Sequence, residues 1–219
     1  MNLKALNLSK TFDGLEYIFR DLSLEIKSGD LIFLKGKSGS GKTLFLKSLC
    51  LLTDFQEGKV FWGDKEIDGA DVPHFRSEVH FLNQFPTLFQ GTVLDYIKAP
   101  FSFTLNKKKH LDLEELKTIL KDLHLKEDFL NKRVPHLSGG EKQLLKIIRS
   151  ILLHPKGFLL DEPTSSMDEE MKKRTEELIL KIYKKRKNFI LWVTHDEAQI
   201  QRNARNYYHF PTLKSEVLA

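Results

Sequence analysis

Cysteine is nearly absent: Cys50 is the single one in 219 residues. That excludes an internal disulfide framework and fits a reducing compartment. Its apolar setting, FLKSLCLL, predicts a small buried core residue. Long apolar runs are missing too, since none approaches the ~20 residues that a membrane-spanning helix needs. The start, MNLKALNLSK, has no signal-peptide core. The expectation is therefore a cytoplasmic protein, and any task at a membrane requires another chain to supply the membrane. Neither sign of charge dominates. With 35 basic against 30 acidic residues the net charge is +5, too balanced to argue for nucleic acid, and no such partner is expected. There is no internal repeat and no linker. What remains, 41% hydrophobic and 30% charged residues, describes a soluble globular chain able to bury a real core.

The pattern reads as one α/β unit. LKALNLSK (3–10) and DLSLEI (21–26) alternate apolar and polar residues, as half-buried strands do. LIFL (31–34), GFLL (157–160) and FILWV (189–193) are short apolar runs, each leading into a polar or glycine turn and then a helical stretch. Parallel strands covered on both faces look like this. From about 88 to 153 the texture is helical. LDLEELKTILKDL (111–123) has helical spacing, and EKQLLKIIRSILL (141–153) puts Leu144, Ile148 and Ile151 on one stripe before Pro155. Residues 168–187 predict another amphipathic helix, with Met171, Leu178 and Ile182 inward. KKK (107–109) and KKRK (184–187) read most simply as solvated surface, a phosphate or lipid-headgroup role being the alternative.

The chemistry begins at GKSGSGKT, comprising Gly36, Lys37, Ser38, Gly39, Ser40, Gly41, Lys42 and Thr43. It matches G-x-x-x-x-G-K-[ST] and lies between a predicted buried strand and a predicted helix. The glycines let backbone N–H groups turn inward toward phosphate oxygens, and the positive end of the following helix adds to the field. Lys42 supplies a point charge to β and γ phosphates, and the Thr43 hydroxyl can ligate Mg²⁺. Without its flanks the loop would be a flexible glycine turn.

A second element is GFLLDEP (157–163). Asp161 ends a buried strand, where a carboxylate can hold Mg²⁺ through water. Glu162, next to it, can polarise an attacking water as general base. Gln84, after the strand-like SEVHFLN, can sense Mg²⁺ or that water; alone it would be a surface glutamine. His195, in LWVTHD, ends the last buried strand at the carboxyl edge, where ligands gather in such sheets. It can hydrogen-bond a γ-phosphate and orient the glutamate, or serve as a helix-cap residue. The other histidines are scattered without metal-ligand spacing. In SSMD (165–168), Asp168 can be a plain helix N-cap. LSGGEKQ (137–143) combines a capping box, Ser138-x-x-Glu141, with two glycines at a helix start, which is also a phosphate cradle.

The ordered set GKSGSGKT, NQF, LSGGEKQ, FLLDEP, SSMD and VTHD resembles the ATP-binding-cassette (ABC) ATPases over nearly the whole chain. The resemblance implies an α/β P-loop fold: a RecA-like core, an N-terminal antiparallel β region and an inserted α-helical subdomain. The corresponding lobes are 1–85 with 156–219, and 86–155. It implies ATP and Mg²⁺ as ligands, with Mg²⁺ held by Thr43, Gln84 and, via water, Asp161. It implies catalytic roles for Glu162, His195 and Gln84. It also implies a head-to-tail homodimer in the ATP-bound state. There Ser138, Gly139 and Gly140 of one copy contact the ATP held by the other, and Ser166 and Asp168 belong to the adjoining D-loop. Adenine would stack on Phe12, with Tyr17 as the alternative.

In this family the region after the glutamine receives a separate integral-membrane permease. Phe85, Leu88 and Phe89 are candidates for that docking patch or for the helical core. The chain would then be peripheral at the inner face of the cell membrane. QFPTLFQGTVLDYI and ILWVTHD further resemble a branch of small bacterial ATPase subunits exemplified by an iron-export system. An appended regulatory domain is not expected after NYYHF. The alternatives are a soluble, non-transport ABC ATPase and a simple P-loop kinase; the signature and the Asp161–Glu162 pair argue against the latter.

Overall fold

The computed structural model describes residues 1–83, 90–204 and 206–217. The alternating N-terminal segments become β1 (Leu3–Thr11) and β2 (Tyr17–Ile26), followed by β3 (Leu31–Lys35) and α1 (Lys42–Leu49). Then come β4 (Glu57–Trp62), β5 (Lys65–Glu66), α2 (Val72–Glu78) and β6 (Val79–Leu82). The helical stretch forms α3 (Val93–Lys98), α4 (Leu113–Asp122) and α5 (Gly139–Leu152). The chain continues through β7 (Gly157–Asp161), α6 (Glu169–Arg186), β8 (Phe189–Val193), α7 (Glu197–Asn203), β9 (Asn206–His209) and β10 (Lys214–Val217).

The chain divides into two compact units, 1–81 with 156–162 and 187–219, and 82–155 with 163–186. In the first unit, β2-β1-β4-β5 form an antiparallel sheet. The other sheet has the order β10-β9-β3-β8-β7-β6. Its centre is parallel: β3 pairs with β8 and β9, and β7 with β8. Every residue of β7 and β8 is buried, as the apolar runs 157–160 and 189–193 require, and Asp161 is buried with them. Phe33 and Trp192 stack on neighbouring strands, centroids 5.4 Å apart. Phe19, Phe45 and Phe210 meet edge-on or tilted at 5.5–6.1 Å, joining β2, α1 and the segment after β9. Such ring pairs contribute roughly 0.5–1.5 kcal/mol each beyond their buried area. Cys50 is 1% exposed in this core, as its apolar neighbours predict.

The second unit is helical. Leu144, Ile148 and Ile151 of α5 are all buried, as are Leu178 and Ile182 of α6, while Met171 is half-buried. The segment 163–186 belongs with this unit, whereas the sequence reading had it with the other lobe. Within this unit α6 bonds its neighbours: Lys181 to Asp122 at 2.6 Å, Arg186 to Glu115, and Arg186 Nη1 to the Ile151 carbonyl at 2.7 Å. No helix among the described residues is long and apolar enough to cross a membrane.

Candidate nucleotide site

The loop Gly36–Gly41 leaves the buried strand β3 and enters α1. Gly41 occupies the helix N-cap at φ +98°, a left-handed conformation that L side chains rarely adopt. A Cβ there would lie 2.5 Å from Ile18 Cγ2, and one at Gly36 would lie 3.0 Å from the Phe210 carbonyl oxygen. The loop thus needs glycine at both ends, one for conformation and both for space. With Gly at the cap, no side chain caps the start of α1, leaving a helix start suited to an anion. Lys42 folds back into the loop, and its Nζ donates to the Gly36 and Lys37 carbonyls, both at 2.8 Å. Burial lowers its pKa, against the pull of Glu162 and Asp161.

One residue on, the Thr43 hydroxyl donates to Asp161 Oδ2 at 2.8 Å. Asp161 closes β7 and is 4% exposed. Its carboxyl is pushed above the usual range, chiefly by burial, although the Thr43 bond acts the other way. Glu162 turns out of the strand at φ +49°, a strained position for a side-chain-bearing residue, and its N–H donates to the Val193 carbonyl at 3.0 Å. That bond anchors it to the end of β8, and His195 stands just beyond. His195 Nδ1 lies 2.8 Å from Glu162 Oε1. The imidazole side chain is 70% exposed, the carboxylate side chain 21%. The loop after β8 is fixed by Asp196, which caps α7 by accepting from the Gln199 amide at 3.0 Å. A carboxylate steered by an imidazole can take a proton from water, and a hydroxyl beside a carboxylate offers the hard oxygen donors that Mg²⁺ takes.

The helical unit holds the other candidates. Ser138 caps α5 through a complete capping box: Glu141 N–H donates to Ser138 Oγ at 3.1 Å, and Ser138 N–H to Glu141 Oε2 at 2.8 Å. Gly139 and Gly140 form the first turn. Gly140 is close-packed, since a Cβ would come 2.9 Å from the Ser166 carbonyl oxygen. The Ser166 N–H donates to Gln143 Oε1 at 3.0 Å, and Asp168 Oδ1 accepts from the Met171 N–H at 2.9 Å at the start of α6.

Residues 19–165 match the family model described as ABC transporter. The chain belongs to the ABC transporter family. It is an ATP-binding, ATP-hydrolysing cassette, as the motif set implies. It is 31% identical over 183 residues to the probable iron export ATP-binding protein FetA of Escherichia coli K12, covering 84% of this chain and 80% of that one. It is 33% identical over 208 residues to the putative hemin import ATP-binding protein HrtA of Staphylococcus epidermidis, covering 90% and 91%. Among solved structures, the dimeric ATP-binding cassette MJ0796 in a post-hydrolysis state bound to ADP and Pi superposes with a TM-score of 0.85, at 25% identity and 99% coverage of both chains.

Within this ABC cassette, Gly36–Thr43, Asp161, Glu162 and His195 come together in one unit, while Ser138–Gly140, Ser166 and Asp168 cluster in the other. Gln84, Phe85, Leu88 and Phe89 lie outside the described residues. Phe12 follows β1 and is 88% exposed; Tyr17 opens β2, is 41% exposed and carries the Arg20 guanidinium over its ring at 4.8 Å. Sequence reasoning missed Ile18 and Phe210, which wall the glycine loop. Both are ordinary apolar residues distant in sequence, so no local signal marks them. It also missed the role of Gln143, visible only as a buried amide on an amphipathic helix.

Proposed function

We propose that this cassette is the energy-supplying subunit of a transporter whose permease is a separate integral-membrane chain, met at the cytoplasmic face. The carrying observation is the convergence, in one unit, of a glycine loop with its lysine, the Thr43–Asp161 pair and the Glu162–His195 pair. The match to most of the length of two relatives, each named as an ATP-binding protein, supports a separate subunit. The name of the relative FetA, an iron export ATP-binding protein, supports the finer reading of metal, specifically iron, export.

The residues fit a triphosphate with Mg²⁺. Gly36 and Gly41 leave no room for a Cβ, Ser40 Oγ is buried without a partner among the described residues, and the nearby donors are oxygens. Mg²⁺, held by Thr43, Gln84 and through water by Asp161, would bring positive charge to the phosphate oxygens. Lys42 shares its ammonium between the loop carbonyls and the β and γ phosphates. Glu162 accepts the proton of the attacking water. His195 donates from Nδ1 to Glu162 and, when its ring is protonated, from Nε2 to the γ-phosphate, since both neighbours are acceptors. Ser138 Oγ and the amides of Gly139 and Gly140 act on the nucleotide of a second copy packed head to tail, with Ser166 and Asp168 at that interface. The dimeric solved relative supports this arrangement. The exposed ring of Phe12, or of Tyr17, is available to adenine.

Two measurements test the reading. Affinity-tagged chain extracted with its native membrane should bring down a polytopic membrane protein, and Glu162→Gln with Mg-ATP should elute as a dimer in light-scattering chromatography. A chain that binds no membrane protein and never dimerises refutes it.

A further inference from the structure

The helix α5 is amphipathic, yet one of its buried stripes is polar. Gln143, Lys146 and Ser150 recur at helical spacing and are only 3%, 7% and 3% exposed. Burying a glutamine amide and an ammonium is unfavourable unless each is bonded, and apolar side chains would pack the same stripe without that requirement. The bonds formed are specific. Gln143 Oε1 accepts from the Ser166 N–H at 3.0 Å, while its Nε2 donates to Ser165 Oγ at 3.2 Å. Lys146, one turn on, donates from Nζ to both oxygens of Asn83, the carbonyl at 2.5 Å and the side-chain Oδ1 at 2.6 Å. Asn83 is the residue before Gln84, and Ser165–Ser166 follow Glu162 by a few residues. All of these contacts lie inside the helical unit.

We propose that Gln143 and Lys146 are positioning residues that yoke two loops to α5. Through Lys146, displacement of the Asn83 end shifts the helix. Through Gln143 and the close contact at Gly140, the helix carries Ser138 and Ser166 with it as one body. The yoke rests on the ATPase roles proposed above for Gln84 and Ser138, but its geometry is independent of them.

Lys146→Met and Gln143→Leu in the full chain should lower kcat for Mg-ATP by roughly ten- to a hundredfold, the scale of a misplacement remote from the chemistry. KM and the affinity for ADP should change less than twofold, and Lys146→Arg should restore most of the rate. A packing role would instead lower the melting temperature and leave kcat per folded molecule unchanged. If Lys146→Met folds poorly, Asn83→Ala removes one of the two acceptors of the same link and should give a smaller kcat loss in the same direction, with KM again unchanged. A second readout needs no hydrolysis. In Gln143→Leu, deuterium exchange over 163–168 should accelerate about tenfold as the Ser166 amide loses its acceptor. Unchanged kcat or unchanged exchange overturns the yoke. A wild-type chain without ATPase activity would refute the parent reading instead, and the exchange result would still decide this one.

Discussion

The Thr43 hydroxyl donates to Asp161 Oδ2 across 2.8 Å, joining the first turn of α1 to the end of β7 over 118 residues of chain. Asp161 is buried, and burial pushes its carboxyl above the ordinary range despite the Thr43 bond. A carboxyl raised in the native state favours its protonated form there. Its contribution to stability is complete below the unfolded pKa and is lost as pH rises through the folded one. Asp161→Asn should therefore raise the melting temperature of the nucleotide- and Mg-free protein at neutral pH, by about 2–4 °C for each kcal/mol relieved. The gain should shrink as pH falls toward the ordinary carboxylate range. Hydrolysis should be abolished. A lower melting temperature at neutral pH would show that the Thr43 bond outweighs burial.

Glu162→Gln should retain nucleotide affinity and lose about 10²–10⁴-fold in turnover, the usual scale for a general base. Adding His195→Ala to it should cost little more, because groups that act as a unit are not additive. Fully multiplicative losses in a phosphate-release assay would separate the two residues.

Lys42→Ala should weaken ATP binding by roughly tenfold or more, since hydrogen bonds to a charged group contribute about 1.5–3 kcal/mol. Titration with a fluorescent nucleotide reads this directly, and undiminished affinity would remove Lys42 from the phosphate site.

Ser138 has a local role and a proposed distant one, and two substitutions separate them. Ser138→Ala should cost about 1 kcal/mol of helix capping and lower the melting temperature. Ser138→Asp keeps a capping oxygen and suits the helix N-terminus, so the fold should hold while its charge repels a phosphate. In mixed dimers the lost turnover should belong to the phosphate loop of the unsubstituted copy; loss at the variant's own loop would overturn the head-to-tail assignment.

The parts of the fold legible in the sequence are those whose cause is local. Residues 31–34, 157–160 and 189–193 read as buried strands because both faces of that sheet are covered, so every side chain is apolar. Ser138 and Glu141 announced their cap because the box spans four residues. β4 was not legible: Glu57, Gly58 and Lys59 are exposed, and only Val60 and Trp62 turn inward. Phe210 could not be assigned to the wall of the phosphate loop from its own neighbourhood, since that contact depends on β9 pairing beside β3. Segment 163–186 follows a core strand in the chain, but it groups with the helices, where α6 buries Leu178, Ile179 and Ile182 and pairs with α4.

The one thiol of the chain is sealed. Cys50 is 1% exposed and burial pushes its pKa up to about 12, so it stays protonated and out of reach of alkylating reagents. The natural sequence is in effect a cysteine-silent background. A single Ser166→Cys or Phe12→Cys exchange would carry the only reactive label, and spin or dye pairs between two copies could be measured without first removing a native thiol.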